Sequence, residues 1–115
     1  MQYKTIEELE GQTITLIEQG ESDVIIETKE GKRYRMYHEQ NCCEAVYVDE
    51  VKGSFSDVYG SPVIAACEEI GHDTHDYGTC TLTTFHLITD NGELSIKWNG
   101  SSNGYYSESV YFVEM

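Results

Sequence analysis

Basic residues are scarce in this chain. Its 115 residues include seven Lys and Arg against 21 Asp and Glu, a formal net charge of −14 at pH 7. The shortage is uneven. Residues 1–35 hold five basic and eight acidic groups, whereas residues 36–115 hold only Lys52 and Lys97 against thirteen acids. Contacts to phosphate need Lys and Arg, so no direct nucleic-acid binding is expected. Anionic membrane surfaces are disfavoured for the same reason. Long apolar runs are missing too. Nothing approaches the roughly 20 apolar residues that span a bilayer. Residues 1–12 show no apolar run after a basic start, so no signal peptide and no membrane association are expected, and the location is expected to be cytoplasmic. Absent as well are GxGxxG, a phosphate loop, GxSxG, HExxH and any CxxC pair, which removes the common signatures of nucleotide, hydrolase and zinc chemistry. No catalytic residue and no cofactor are assigned from the sequence.

What is present reads as one β-rich domain. A chain of this length can bury roughly two thirds of its unfolded surface and needs no obligatory staples. Short segments alternate polar and apolar residues and are separated by turn residues. Strands are expected over residues 13–17, with Ile14 and Leu16 on one face, and over 24–29 and 33–39, with Tyr34, Met36 and His38 on one face. Further strands are expected over 44–51, 63–70, 80–89, 93–99 and 105–114. Glu30-Gly31-Lys32 and Asp90-Asn91-Gly92 read as hairpin turns. Thr5 with Glu8 has the spacing of a capping box on a short helical turn, and Ser54 opens a second. Gly71 to Gly78, with His72, Asp73, His75 and Asp76, reads as a polar loop. The expected fold class is mainly β: a single domain of seven or eight mostly antiparallel strands, as a sandwich, a curled sheet or a partly open barrel, with one or two helical turns.

Two segments break the alternation. Tyr37-His38-Glu39-Gln40-Asn41-Cys42-Cys43-Glu44 and Ser102-Asn103-Gly104-Tyr105-Tyr106-Ser107-Glu108 crowd thiol, imidazole, phenol and carboxylate groups where a strand is expected. The candidate binding residues are Tyr37, His38, Gln40, Cys42, Cys43, Glu44, Ser102, Asn103, Tyr105, Tyr106 and Glu108. Tyrosine suits an interface because a rigid ring carries a polar tip, although an internal polar network explains the same residues.

The four cysteines, Cys42, Cys43, Cys67 and Cys80, are expected as free thiols or metal ligands in a reducing compartment. Neighbouring Cys42 and Cys43 are not expected to bridge, since the ring they would close is strained. His38 with Cys42 and Cys43 could form a thiolate–imidazolium pair, but Glu39 and Glu44 oppose thiol ionisation. His72, His75 and Cys80 form a weak metal-ligand pattern, as do His38 and Cys42. The ordinary alternative makes Cys67 and Cys80 small core residues. Glu44 and Glu108 would make a carboxylate pair only if their strands are neighbours.

The motifs Tyr37-His38-x-Gln40-x-Cys42-Cys43-Glu44-x-Val46 and Ser102-Asn103-Gly104-Tyr105-Tyr106-Ser107-Glu108-Ser109-Val110, with Gly60-Ser61-Pro62-Val63-Ile64 and Leu94-Ser95-Ile96-Lys97-Trp98, carry a resemblance. From about residue 9 onward the chain resembles a family of small, acidic, uncharacterised proteins of bacteriophages and prophages. The resemblance implies a phage accessory protein in the bacterial host cell and brings no activity, catalytic residue or cofactor with it. The expectation is a small acidic protein that binds a host protein, with a basic nucleic-acid-processing protein as the favoured partner and inhibition or nucleic-acid mimicry as the mode. The alternative is a metal- or thiol-dependent module centred on His38, Cys42, Cys43 and Glu44.

Overall fold

Alternation dictates the first sheet. In the computed structural model, which describes residues 2–75 and 78–115 apart from the side chain of His75, β1 (Gln2–Tyr3) precedes a meander of β2 (Ile14–Gln19), β3 (Asp23–Thr28) and β4 (Arg33–Tyr37). Val24 and Ile26 on β3, and Tyr34 and Met36 on β4, point inward and are fully buried. Their odd-numbered neighbours face out, where Arg35 meets Asp23 at 2.9 Å and Arg33 meets Glu27 at 3.0 Å. Gly31, at φ 86, turns β3 into β4 in a conformation open mainly to glycine.

A second sheet holds β5 (Ala45–Lys52), β6 (Val63–His75), β7 (Gly78–Thr89) and β8 (Gly92–Ser102), in the order β5-β8-β7-β6. The chain then returns to the first sheet as β9 (Tyr111–Glu114), giving the order β1-β9-β4-β3-β2 there. All pairings between named strands are antiparallel. The inner faces enclose one core, in which Phe85, Leu87, Leu94, Ile96 and Trp98 of the second sheet meet Tyr34, Met36 and Phe112 of the first. Tyr34 and Phe112 stack with centroids 5.1 Å apart, and the Tyr34 hydroxyl accepts a hydrogen bond from Gln12 Nε2 at 2.7 Å. The fold is mainly β, as expected; among the described residues nine strands form two antiparallel sheets and no closed barrel, the additional strand being the two-residue β1.

Several local expectations are corrected. The first 3-10 turn, Ile6–Leu9, has no side-chain cap: the Glu8 N–H goes to the Thr5 carbonyl at 3.0 Å, and Glu8 lies instead 3.6 Å from Lys32 Nζ. The second, Phe55–Val58, is held where Ser54 N–H donates to Asp57 Oδ2 at 2.9 Å. On β2 a bulge between Ile14 and Leu16 slips the pattern by one residue, so Ile14 and Ile17 are buried rather than Ile14 and Leu16. The polar stretch from Gly71 is no loop: β6 and β7 continue as a long hairpin to His75 and Gly78. A 13-residue strand rises about 43 Å, close to the molecule's full 45 Å length. The hairpin runs past the core there, and every β6 residue from Cys67 to Thr74 is exposed. Both faces are wet, which is why the sequence looks loop-like. Asp76 and the His75 side chain lie outside the described residues. The last strand is four residues long and not ten, because residues 103–110 form a crossover.

That crossover is the feature that builds the site. The chain passes from the first sheet to the second through residues 38–44 and back through 103–110. β4 pairs with β9 with Tyr37 opposite Tyr111, and β5 pairs with β8 with Ala45 opposite Ser101. The two crossovers therefore span the same end of the sandwich side by side. Close approach is possible because residue 100 has no side chain: a Cβ there would lie 3.0 Å from Glu108 Cβ, 3.1 Å from its carbonyl oxygen and 3.2 Å from Val46 Cγ2. Gly100→Ala is expected to lift the second crossover from β8, costing on the order of 1–3 kcal/mol in urea unfolding while the far-ultraviolet circular dichroism stays native.

Candidate functional site

Both unusual sequence segments fall on the crossovers, and each is organised around a buried carboxylate. Glu44 is the first. Its side chain is 0% exposed and that of His38 is 3% exposed. His38 Nε2 lies 2.9 Å from Glu44 Oε2, and the N–H groups of Asn41 and Cys42 donate to the same carboxylate, each at 2.9 Å. Gln40 Nε2 closes the loop by donating to the Glu44 carbonyl at 2.6 Å. The other ring nitrogen, His38 Nδ1, lies 2.7 Å from the Ser109 carbonyl on the second crossover. A carbonyl only accepts, so Nδ1 carries a hydrogen. Nε2 faces a Glu44 carboxylate oxygen, so the ring joins the two crossovers through both of its nitrogens. Burial pushes the Glu44 carboxyl up, but His38 and the backbone N–H groups outweigh it and hold the carboxyl lowered to about 2.

Glu108 is the second. Its donors are hydroxyls: Thr79 Oγ1 reaches Oε2 at 2.6 Å, Thr81 Oγ1 reaches Oε1 at 2.7 Å, and Ser102 Oγ also donates to Oε2. Burial raises its carboxyl, and these three hydroxyls, with the nearby His72, lower it further than burial raises it. The Thr81 hydrogen is committed to Glu108, so the His72 Nδ1–H donates to Thr81 Oγ1, at 3.2 Å. Ser102 Oγ also accepts the Gly104 N–H at 3.0 Å, and Asn103 Oδ1 accepts that of Tyr105 at 3.0 Å. This bonding fixes the base of the 103–107 loop and turns its tip outward. Tyr105 is 83% exposed and meets Tyr106 edge-on at 5.1 Å between centroids. Beside the loop runs a groove of about 510 Å³, walled by Ile70, His72, Thr83, Tyr106, Glu108 and Tyr111.

The structure thus brings His38, Gln40, Glu44, Ser102, Asn103 and Glu108 into internal bonding and leaves Tyr105 free. Tyr37 lies on the outer face of the first sheet, its ring 5.8 Å from that of Tyr111 and under the Arg35 guanidinium at 4.4 Å. Tyr3 extends this aromatic row, 5.6 Å from Tyr111. The sulfurs of neighbouring Cys42 and Cys43 lie side by side in this loop. No thiolate–imidazolium pair forms, because both His38 nitrogens are bonded elsewhere. The His72, His75, Cys80 pattern is also not assembled: His72 pairs opposite buried Thr81 on the inner face, whereas the next residue, Cys80, faces outward and donates to Asn99 Oδ1 at 3.5 Å. The His75 side chain lies outside the described residues. Cys67 is exposed and Cys80 half-buried, so neither is a core residue. Sequence reading missed Thr79 and Thr81 as partners of Glu108. Their alternation on one strand face was visible, but its pairing partner was not.

A carboxyl whose folded value lies below its unfolded one stabilises the fold in full above the unfolded value. That contribution is lost as the pH falls from 4.5 towards 2 for Glu44. Thermal midpoints are expected to fall as the pH drops through this window, and to fall less steeply in Glu44→Gln. His38→Ala leaves the Ser109 carbonyl without its side-chain donor and takes one of three donors from the buried carboxylate; a drop of roughly 5–10 °C in the thermal midpoint is expected at neutral pH.

Among the described residues, no helix is long and apolar enough to cross a membrane. No curated protein and no solved structure matches the chain. A family model matches residues 2–112, nearly the whole length and both crossover motifs, and on that match the chain belongs to the family described as Domain of unknown function (DUF7448).

Proposed function

We propose that this protein is a non-catalytic binding module, a phage or prophage accessory protein that engages a basic host protein in the bacterial cytoplasm. The observation that carries this reading is the 103–107 loop. Its base is anchored by a buried carboxylate and three hydroxyls, while Tyr105 stands 83% exposed beside Tyr106. A preorganised loop loses little entropy when it binds, and an exposed tyrosine offers a large rigid contact. The surrounding charge supports the kind of partner. With a net charge of −14, the molecule attracts basic surfaces and repels nucleic acid. Inhibition by occupying a basic nucleic-acid-binding groove is the mode this charge favours.

The crowded polar groups support binding over catalysis. His38 and Glu44 bond to each other and to backbone groups, and Glu108 is saturated by hydroxyls. A general base or nucleophile needs an atom left free to meet substrate.

Affinity capture from nuclease-treated bacterial lysate, read by mass spectrometry, tests this reading. One basic protein is expected to be retained at low salt and to dissociate by roughly 0.3 M salt, where screening leaves only short-range attraction. Tyr105→Ala is expected to weaken its capture about tenfold, the loss typical of a modest hot spot, with the thermal midpoint unchanged. Retention that is indifferent both to salt and to Tyr105→Ala would reject the proposal.

A further inference from the structure

The outer face of the four-stranded sheet carries chemistry that neither the core nor the crossovers use. β6 pairs with β7 so that Cys67 stands opposite His86, and β7 pairs with β8 so that His86 stands opposite Ser95. Glu69 follows Cys67 by two residues and so shares its face. One ligand atom from each of Cys67, Glu69 and His86 lies within 4.8 Å of the other two. The imidazole is held from behind, with Nδ1 2.8 Å from Ser95 Oγ. Its other nitrogen, Nε2, is shielded from solvent and makes no hydrogen bond among the described residues. Glu69 Oε1 lies 3.0 Å from it. Imidazole nitrogen and carboxylate oxygen thus already stand together, in a cluster that also offers a thiol.

The geometry points to a binding site here for a zinc-class divalent cation, held by Cys67 Sγ, the Glu69 carboxylate and His86 Nε2. Sulfur and imidazole select borderline-soft ions, whereas calcium and magnesium take oxygen ligands. Ser95 is the positioning residue. It accepts the Nδ1 hydrogen and so presents the Nε2 lone pair to the ion. Metal–ligand distances of about 2.0–2.3 Å set tetrahedral ligand atoms roughly 3.5 Å apart. Cys67 and Glu69 are exposed, so rotation of their side chains closes the set. Three protein ligands leave a fourth position open to water or to a ligand from another molecule. A net charge of −14 raises the local cation concentration. On binding, the Cys67 thiol releases its proton to solvent and the thiolate becomes the ligand.

Titration of the reduced, metal-free protein with cobalt(II) tests the site directly and without any partner, so its outcome is separate from that of the binding proposal. An equimolar cobalt complex with a thiolate-to-metal charge-transfer band in the near ultraviolet is expected, and zinc(II) should displace it. Cys67→Ser is expected to abolish the band, and His86→Ala to weaken binding at least tenfold. Ser95→Ala is expected to weaken it about tenfold with the band in place. Cys80→Ser and the Cys42→Ser, Cys43→Ser pair should leave the titration unchanged. All these positions are exposed or half-buried, and circular dichroism checks that each variant is folded. Absence of a band at equimolar cobalt, or a band that survives Cys67→Ser, would overturn the assignment.

Discussion

The structure depends on one buried charge that cannot be left alone. Moving a carboxylate out of water is costly unless it is paired and hydrogen-bonded. Glu44 meets that demand with the His38 ring and two backbone N–H groups of its own loop. The same ring binds the Ser109 carbonyl on the second crossover, so satisfying one charge also fixes how the two sheets are joined. The pairing of β4 with β9 and of β5 with β8 follows from that junction, as does the placement of Glu108 under its three hydroxyls. A hydrophobic pair at these positions would pack the crossovers without specifying their relative position; directional bonds specify it. We read the polar motifs as the means by which this end of the sandwich acquires a single conformation.

Much of the fold was legible from residue order. Val24, Ile26, Tyr34 and Met36 alternate cleanly, and Asp90-Asn91-Gly92 announces its hairpin. Legibility failed where the physics behind the pattern changed. His72, Asp73 and Thr74 read as loop because a hairpin that overhangs the core has no dry face to demand apolar residues. Tyr105 and Tyr106 read as strand because aromatic residues favour strands, but here Ser102 and Asn103 side chains capture the backbone N–H groups of Gly104 and Tyr105 and offer it a turn instead. Leu16 lost its inward place to a bulge, which alternation alone does not reveal.

The candidate site was legible as a composition and not as a geometry. The crowding of His38, Glu44, Ser102 and Glu108 stood out, whereas the bond from His38 to residue 109 spans 71 positions and leaves no local trace. Cys67, Glu69 and His86 were harder still. Each is unremarkable in its own segment, and they converge only through the register of β6 with β7, whose far part was read as a loop.

The two crossovers also have a consequence for the order of assembly. The meander of β2, β3 and β4 and that of β6, β7 and β8 are each closed by short connections. The pairs Tyr37–Tyr111 and Ala45–Ser101, and the His38–Ser109 bond between them, join parts of the chain far apart in sequence. Loop-closure entropy for such contacts is large and is compensated only when many form together. The two meanders can condense early as separate half-structures with exposed inner faces, and the clasp at residues 38–44 and 103–110 closes last. A nascent chain that has not yet emerged beyond residue 109 therefore holds Glu44 without its clasp, and the native junction of the sheets is reached only once that residue is available.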